Sequence, residues 1–382
     1  MSSKPTILIF CDWYKPAFKA GGPVQSIANI VAHLHPYFDF KIITGDRDLH
    51  DDRPYTSVAL NTWCKVDHAE VYYIDQKSIS YKKIAAMLKE TKHDVVYLNS
   101  VFSVPFTLYV LMAVKTSGDK AKVILAPRGM LAKEALQIKA TKKMLFLSLA
   151  KGIGIYRNVC WHASTPLEKE EIQAIFGPRA EVKVAINLGS KRDIIEIKRI
   201  KSSGHATYAF LSRIAIKKNL QYAIEVLSKS TRGNIVFDIY GVTDEHEYRT
   251  QCEERIKQLT SSSIAIRFKG EVAHHNISEV LSNYHFTILP TRNENYGHSI
   301  VESWACGCPV LISTETPWRN LEEQNIGWDI ALNEKSKWIS VIEKSVDMNQ
   351  DEYDRMSAAS YNFARLILQN QQSIDSNINL FK

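Results

Sequence analysis

The sequence lacks the long apolar run that a membrane-spanning helix requires. No stretch of its 382 residues reaches the roughly 18 consecutive apolar residues of such a helix. The first residues, MSSKPTILIFCDWYKP, have one lysine before a short strand-like run, and Asp12 and Lys15 follow that run. A secretory signal peptide has a longer apolar region. We therefore expect the protein to work in the cytoplasm.

Cysteine is scarce and scattered. The six cysteines stand at 11, 64, 160, 252, 306 and 308, and no pair has the C-x-x-C spacing of a zinc site. Cys306 and Cys308 flank Gly307, which is typical of the close packing of small residues. The pattern indicates neither a disulfide framework nor a metal site.

The net charge is moderate, at +7. It suits an anionic partner such as a nucleotide, a phospholipid surface or a nucleic acid. Because no aromatic RNA-recognition signature or helix-turn-helix pattern is evident, we expect no nucleic-acid partner. Apolar residues make up 45% and charged residues 23% of the chain, an ordinary composition with ample material for two cores.

Short apolar runs alternate with amphipathic stretches along the whole chain. The first series of strand-like runs is TILIF (6–10), KIIT (41–44), DVVYLN (94–99), KVILAP (122–127) and VCWHAS (159–164). The second series is TYAFLS (207–212), IVFDIYG (235–241), IAIRFKG (264–270), HFTILP (285–290) and PVLIS (309–313). Such alternation is typical of βαβ units, which build a parallel sheet with helices on both faces.

A charged and then Ser/Gly-rich stretch, KRDIIEIKRIKSSGH (191–205), separates the two series and is typical of a linker. We therefore predict an α/β protein with two doubly wound parallel-sheet domains, residues 1–190 and 191–364. A C-terminal helix of about 365–382 could cross back onto the first domain.

The stretch ENYGHSIVESWACGCPV (294–310) raises a chemical question, because two glutamates stand eight positions apart around a helix start. The loop follows a strand, and ligands of open α/β sheets bind at the carboxyl ends of the strands. The unpaired N–H groups at the helix start, at Gly297, His298, Ser299 and Ile300, predict a site for a phosphate or diphosphate.

The two glutamates would then lie on either side of that anion. Glu302, one turn into the helix, is placed to accept hydrogen bonds from a diol such as a ribose, and Glu294 would reach the group beyond the phosphate. A ligand with a nucleoside, a diphosphate and a sugar has this layout. The alternative is that both glutamates are solvated surface residues.

Basic residues and glycines strengthen the first interpretation. FLSRIAIKKNL (210–220) places Arg213 at a strand end, with Lys218 before the next helix, and both could neutralise a diphosphate. Gly21 and Gly22 lie directly before the first amphipathic stretch and would let the backbone approach a ligand closely. A tight turn alone would also explain the two glycines.

The stretch STPLEKEEI is typical of a helix start, and Thr165 is the expected N-cap. His162, just before it, is expected to be a packed or hydrogen-bonded residue rather than a ligand of a metal or substrate.

These motifs together resemble a known family. E-x7-E from Glu294 to Glu302, S-R-x4-K upstream of it, and the N-terminal G-G are similar to the retaining glycosyltransferases of family four. The resemblance covers nearly the whole chain and implies the GT-B fold, in which two Rossmann-like domains face each other across a cleft. PRGML (127–131) and TPWRNL (316–321) resemble the branch that builds bacterial O-antigen, capsule and other surface polysaccharides.

The resemblance also implies roles for single residues. Arg213 and Lys218 would bind the donor diphosphate, Glu302 the ribose, and Glu294 the hydroxyls of the transferred sugar. The Gly21–Gly22 loop would close over the donor phosphates or line the acceptor side of the first domain. Such enzymes transfer sugar with retention at the anomeric carbon and usually without a metal. We therefore expect neither metal nor cofactor, with the nucleotide sugar as a substrate.

The chain departs from the family pattern at several positions. Arg128 stands where many members have a histidine, and it could contact the donor sugar or phosphate. A glycine-rich donor loop is replaced by T-E-T-P-W-R-N-L, so Trp318 and Arg319 could shape sugar specificity. A packed turn with a surface arginine is the alternative for this loop.

The stretch KATKKMLFLSLAKGIGIYRN (139–158) is basic and amphipathic. It could lie on an anionic membrane, where lipid-linked acceptors reside. It could equally be an ordinary helix of the first domain, with its lysines on the solvated face.

The predicted function is therefore transfer of a sugar from a nucleotide-sugar donor to a glycan or lipid-linked acceptor. One alternative is a nucleotide-sugar 2-epimerase, which would need no acceptor. Another is a non-catalytic subunit that binds nucleotide sugars without turnover. The sequence does not identify the sugar, the base or the acceptor.

Overall fold

The computed structural model describes residues 4–137, 140–190, 197–259 and 263–382. The chain divides into two compact units: Met1–Lys191 with Asn370–Lys382, and Arg192–Gln369. Each unit is an α/β domain built on a parallel sheet, as the alternation in the sequence predicted. Residues 191–196, where the predicted linker begins, lie outside the described residues.

One sheet of eight strands forms the centre of the first unit within the described residues. The strands are β1 (Thr6–Phe10), β2 (Asp39–Gly45), β3 (Trp63–Val66), β4 (Ala69–Ile74), β5 (Val95–Leu98), β6 (Lys122–Leu125), β7 (Cys160–Ala163) and β8 (Val182–Val184). Their order is β3-β4-β2-β1-β5-β6-β7-β8. Only β3 pairs antiparallel, with β4; the other described neighbours are parallel.

Helices cover both faces of this sheet. They are α1 (Gly22–Leu34), α2 (Tyr81–Glu90), α3 (Tyr109–Ser117), α4 (Lys133–Gln137), α5 (Ala140–Gly152) and α6 (Pro166–Phe176). Alternate residues of β1 therefore enter two cores: Ile7 and Ile9 pack with Ile27 of α1, and Leu8 and Phe10 pack on the other face.

The second unit contains a parallel sheet of six strands within the described residues. They are β9 (His205–Leu211), β10 (Asn234–Tyr240), β11 (Ile264–Gly270), β12 (Phe286–Leu289), β13 (Val310–Ser313) and β14 (Gly327–Ile330), in the order β11-β10-β9-β12-β13-β14. Its helices are α7 (Leu220–Ser228), α8 (His246–Lys257), α9 (Ile277–Leu281), α10 (His298–Ala305), α11 (Lys335–Asp347) and α12 (Gln350–Leu368). None of the helices in the described part of the chain is both long and apolar enough to cross a membrane.

The last helix, α13 (Gln371–Phe381), belongs to the first unit although it follows the second in the chain. The ring of Phe381 contacts those of Phe38 and Tyr97, with centroids 5.6 and 5.4 Å apart. The side-chain amide of Asn377 donates to the carbonyl of Ile186 at 2.9 Å. α13 therefore completes the core against which α1 packs.

Each sheet has a point where the direction of strand addition reverses. In the first unit, β2 and β5 flank β1; in the second, β10 and β12 flank β9. The loops after the two strands at such a point diverge to opposite faces and leave a crevice where ligands of this fold class bind. The loops after β1 and β5, and those after β9 and β12, are therefore the places to look for a functional site.

Gly241, directly after β10, brings two backbone segments together at the second of these points. Its φ is +152°, and a Cβ on it would lie 1.8 Å from the carbonyl oxygen of Ser212. The N–H of Ser212 donates to the carbonyl of Tyr240 at 3.2 Å. Glycine is required for this approach, so Gly241 helps to determine where the chain after β9 lies.

Gly241→Ala is therefore expected to destabilise the fold for two reasons. Alanine disfavours the φ at this position, and its Cβ would clash with the carbonyl oxygen of Ser212. Gly270→Ala is the matched control, because Gly270 also has a positive φ, of +87°, but a Cβ there meets nothing within 4 Å. We expect Gly241→Ala to lower the free energy of unfolding by about 1–3 kcal/mol more than the control, measured by urea denaturation. Equal losses in the two variants would contradict the packing argument.

Candidate functional site

Three loops meet at the carboxyl edge of the second unit's sheet. The first follows β9 and includes the 3₁₀ turn Ile216–Lys218, the second connects β12 to α10, and the third follows β13. The N–H of Arg292 donates to the carbonyl of Lys217, and that of Glu294 to the carbonyl of Glu315, both at 2.8 Å. These backbone bonds hold the three loops in register with one another.

Lys218 and Glu294 form an ion pair in the centre of this edge. The Lys218 ammonium donates to Glu294 Oε2, and the side chains are 14% and 16% exposed. Burial raises the pKa of Glu294, but the charges of Lys218 and Lys217 outweigh it and hold the pKa below its usual range. The structure thus brings together two residues that the sequence assigned to one site, and Glu294 is ionised there.

Arg213 lies in the same loop after β9. Its Nη1 donates to Asp244 Oδ2 at 2.8 Å, and its side chain is 37% exposed. Its Nε and Nη2 groups have no hydrogen-bond partner among the described residues. The guanidinium is therefore oriented by one carboxylate and keeps donors for an anionic ligand. Sequence reasoning missed Asp244.

The start of α10 offers part of the predicted anion site. Gly297 has a φ of +79°, and a Cβ there would lie 2.7 Å from a side-chain carbon of Ile300 and 3.3 Å from Cγ of Glu294. The N–H groups of Gly297 and Ser299 have no partner among the described residues. The expectation was wrong for Ile300, because its N–H already donates to the carbonyl of Gly297 at 2.9 Å in a tightened first turn.

His298, the first residue of α10, also lies at this edge. Its ring contacts that of Tyr296 edge-on, with centroids 4.9 Å apart. Its charge is one of the influences that lower the pKa of Glu294. His298 therefore adds to the positive potential around the glutamate.

Glu302 lies one turn further into α10, as predicted. Its Oε1 is 2.7 Å from Nε2 of His274, and the two side chains are 17% and 18% exposed. Its Oε2 has no hydrogen-bond partner among the described residues. His274 belongs to the 3₁₀ turn after β11, and sequence reasoning missed it because nothing in the local pattern connects it with α10.

In the loop after β13, the side chains of Trp318 and Arg319 donate hydrogen bonds to nearby backbone carbonyls. The Arg319 guanidinium donates to the carbonyls of Thr314, Thr316 and Trp318, all in the same loop. The indole of Trp318 donates to the carbonyl of Tyr296 at 2.6 Å. These bonds favour the alternative of a packed turn, in which Trp318 holds the segment before Gly297.

In the first unit, Gly21 is the N-cap of α1 in a conformation that favours glycine, with φ +67°. Asp48, which is buried, accepts the N–H groups of Phe18 and Lys19 at 2.7 and 3.1 Å and so holds the loop that leads to Gly21 and Gly22. Gly21 therefore lies directly before α1, and Gly22 is the first residue of that helix.

Arg128 follows β6, and its side chain turns into the first unit. It donates to the side chains of Asn99, Tyr97 and Asn187, none of which the sequence had marked as functional. His162 is fully buried and hydrogen-bonded, as expected. The cap at Thr165 is confirmed, because its hydroxyl accepts the N–H of Glu168.

No group of three or more His, Cys, Asp or Glu side chains is placed to hold a metal ion in the described ranges. The sequence does contain one Asp-x-Asp tripeptide, Asp46-Arg47-Asp48. Asp46 accepts from Arg47 Nε at 2.8 Å, while Asp48 holds the backbone before Gly21. These carboxylates thus have internal partners, and metal independence stays a prediction.

Residues 191–363 match the family model described as glycosyl transferases group 1. A search of curated protein sequences found no match to the chain.

Solved structures match over nearly the full length of the chain. HepE of Anabaena, in complex with UDP and glucose, is 14% identical, with a TM-score of 0.69 and 98% of each chain covered. Sucrose-phosphate synthase of Thermosynechococcus elongatus is 12% identical, with a TM-score of 0.74 and coverage of 99% of this chain and 98% of that one. WaaG, a glycosyltransferase involved in lipopolysaccharide biosynthesis, is 14% identical, with a TM-score of 0.66 and coverage of 97% and 98%.

At this level of identity the solved structures establish the fold alone. The chain has the GT-B fold, and within it residues 191–363 are similar to the family described as glycosyl transferases group 1.

Proposed function

We propose that the protein is a retaining glycosyltransferase of the family-four type, which moves a sugar from a nucleotide-sugar donor to a glycan or lipid-linked acceptor. The observation that carries the proposal is the arrangement of Lys218, Glu294 and the start of α10 at the point where strand addition reverses. It lies within the region that matches the group 1 family.

The donor diphosphate is assigned to the cationic side of this edge. Arg213 and Lys218 supply positive charge, and the N–H groups of Gly297 and Ser299 supply donors that need no side-chain rearrangement. An incoming diphosphate competes with Glu294 for Lys218. That competition releases the Glu294 carboxylate toward the hydroxyls of the sugar.

The ribose is assigned to Glu302. One of its oxygens is held by His274 at 2.7 Å, which orients the carboxylate, and the other has no partner among the described residues. A carboxylate that is fixed at one oxygen and open at the other suits a hydroxyl pair, since hydrogen bonds to a charged acceptor are stronger than neutral ones.

The proposed reaction retains the configuration of the transferred sugar. The acceptor oxygen bonds to the anomeric carbon on the same face from which the bond to the phosphate oxygen breaks, and the leaving diphosphate takes the acceptor's proton. Arg213 and Lys218 stabilise the charge that develops on the diphosphate, and no metal is expected.

Several finer assignments remain part of the proposal. Gly21, Gly22 and Arg128 of the first unit, and Arg319 of the second, are kept as donor contacts on the strength of the resemblance. HepE was crystallised with UDP and glucose, which makes UDP the first nucleotide to test. The link of WaaG to lipopolysaccharide supports a role in building a bacterial surface polysaccharide, such as O-antigen. The proposal keeps the cytoplasm as the place of this reaction.

Donor turnover with and without an acceptor tests this function. The donor is first chosen among UDP-, GDP- and ADP-sugars by thermal shift, because a ligand at 100 times its Kd stabilises the folded protein by about 2.7 kcal/mol. The protein is then incubated with that donor. We expect an acceptor, from a panel of alkyl glycosides and lipid-linked sugars, to raise nucleoside diphosphate release and to yield a product of retained configuration by NMR. Isomerised donor formed without an acceptor would identify a 2-epimerase, and binding without turnover a non-catalytic subunit.

Glu302→Gln and Glu294→Gln should separate the two ends of the donor. Glu302→Gln is expected to weaken the binding of UDP and the binding of UDP-glucose by about tenfold each, because both ligands contain the ribose. Glu294→Gln should leave UDP binding unchanged or tighter, since Lys218 loses its internal partner, while the transfer rate falls at least a hundredfold. Isothermal titration and the transfer assay measure both. The assignment is reversed if Glu294→Gln abolishes UDP binding and Glu302→Gln spares it.

The surface of α5 supports the predicted contact with an anionic membrane. Met144, Leu145, Leu149 and Ile153 are between 55% and 64% exposed. Leu145 and Leu149, four positions apart, share one side of α5, and Ile153 follows the end of the helix. Apolar side chains next to exposed basic ones suit an interface of anionic headgroups and acyl chains. Lys142, Lys151 and Arg157 are the exposed basic residues of this segment.

A double variant, Leu149→Gln with Ile153→Gln, should weaken binding to vesicles that contain anionic lipid. Leu167→Gln is the control, because Leu167 is 62% exposed but lies on α6. We expect wild type and control to co-sediment with the vesicles and to dissociate at high salt, whereas the double variant stays in the supernatant. If all three proteins bind anionic vesicles equally, or if the protein binds neutral vesicles as well as anionic ones, α5 is an ordinary surface helix and the prediction is wrong.

A further inference from the structure

Two basic side chains of the stretch that the sequence predicts to be a linker are buried. Arg199 and Lys201 are 6% and 3% exposed, whereas Ile200 between them is 89% exposed. Both cations enter the second unit, and the isoleucine faces solvent. This reverses the burial that residue type alone would give, because arginine and lysine are almost never fully buried without partners. The partners of the two cations therefore show what this segment does.

The Arg199 guanidinium joins the carboxyl ends of two helices. Its Nη2 donates to the carbonyls of Leu281 and Cys306 at 3.0 and 2.8 Å, and its Nη1 donates to the carbonyl of Gly307 at 3.2 Å. Leu281 is the last residue of α9, and Cys306 is the C-cap of α10. Cations are stabilising at helix C-termini, and a planar guanidinium can reach several acceptors at once. One side chain thus fixes the ends of α9 and α10 to each other.

The same two segments meet again nearer the carboxyl edge of the sheet. The 3₁₀ turn His274–Asn276 leads directly into α9, and Nε2 of His274 lies 2.7 Å from Oε1 of Glu302 in α10. Between this contact and the one at Arg199, α9 packs against the end of α10 in an apolar cluster. The two helices therefore form a pair that is held by a polar contact on either side of its apolar part.

We propose that Arg199 is a positioning residue of the ribose site, because it fixes the two helices whose other contact orients Glu302. The Glu302 carboxylate is held only at Oε1 by His274 among the described residues. Its orientation therefore depends on where the 3₁₀ turn before α9 lies relative to α10. A hydrogen bond weakens steeply when its geometry changes, so loosening the helix ends at Arg199 loosens the carboxylate as well. This inference rests on the proposed function for the assignment of the ribose to Glu302.

Lys201, two positions away, offers a matched control. Its ammonium donates to the carbonyls of Ser202, Val346 and Met348 at 3.1, 2.9 and 2.9 Å. Val346 lies in the last turn of α11, and Met348 is the C-cap of that helix. None of these acceptors belongs to α9 or α10. Replacing Lys201 therefore removes a buried cation from the same segment without touching the pair of helices that Arg199 joins.

Isothermal titration with UDP and 2′,3′-dideoxy-UDP measures the effect, because the two ligands differ only in the ribose hydroxyls. We expect the wild type to bind UDP about tenfold more tightly than the dideoxy analogue, since Glu302 accepts hydrogen bonds from those hydroxyls. Arg199→Gln should lower this ratio by about threefold or more, through weaker binding of UDP and unchanged binding of the analogue. Lys201→Gln should keep the ratio of the wild type.

Arg199→Lys is the conservative variant. It keeps the positive charge, but its single ammonium cannot bond both helix ends as the forked guanidinium does, so we expect a ratio between those of wild type and Arg199→Gln. This variant also provides the test if Arg199→Gln does not fold. All titrations are made well below the Tm of each variant. A purely structural Arg199 would lower the Tm and leave the ratio at the wild-type value, and that result overturns the proposal.

A double variant tests whether Arg199 acts through His274. His274→Ala alone is expected to lower the ratio, because it removes the contact that orients Glu302. Adding Arg199→Lys should lower the ratio no further, since both changes act on the same carboxylate. Additive losses in the double variant would contradict the proposed coupling.

The titrations also distinguish this inference from the proposed function. A wild type that binds none of UDP, GDP and ADP would contradict the proposed function. A wild type that binds UDP and its dideoxy analogue equally would contradict the assignment of Glu302 to the ribose. If the wild type prefers UDP and every Arg199 variant retains that preference, the proposed function stands and only the role of Arg199 is overturned.

Discussion

The parallel pairing of buried strands is the constraint on which the rest of the molecule depends. It brings the carboxyl ends of the parallel strands in one sheet to a single edge, so residues far apart in the chain meet there. Lys218 after β9 and Glu294 after β12 become neighbours only through this pairing, although 76 positions separate them. The same geometry sets Asn99, after β5, beside the start of α1 in the first unit.

Charge is distributed differently at the two edges. In the second unit the cations have internal counter-ions: Lys218 pairs with Glu294, and Arg213 with Asp244. In the first unit Arg128 has neutral partners alone among the described residues. The desolvation of a charge is costly unless it is compensated, and the two ion pairs supply that compensation in the second unit.

The sequence patterns predicted ten of the fourteen strands in the described residues, but not β3, β4, β8 and β14. The central strands β1, β5, β6, β7, β12 and β13 are apolar and almost wholly buried, so their alternation with helices can be recognised in the sequence. The helix after Gly297 could be placed because glycines mark both its preceding loop and its end. The partners of those residues could not be predicted. His274, Asp244 and Asn187 reach their neighbours through tertiary contacts that leave no local periodicity. For Ile300, the sequence could not reveal that the first turn of α10 tightens and uses its N–H.

The position of α13 has a consequence for synthesis on the ribosome. Phe381 packs against Phe38 and Tyr97 in the core of the first unit, yet the chain of the entire second unit is made before it. The first unit therefore remains an incomplete folding intermediate, with the apolar groove for α13 uncovered, while the second unit is translated and can fold as a continuous segment. A chain interrupted in its second half would expose that groove, and chaperones and proteases recognise such surfaces.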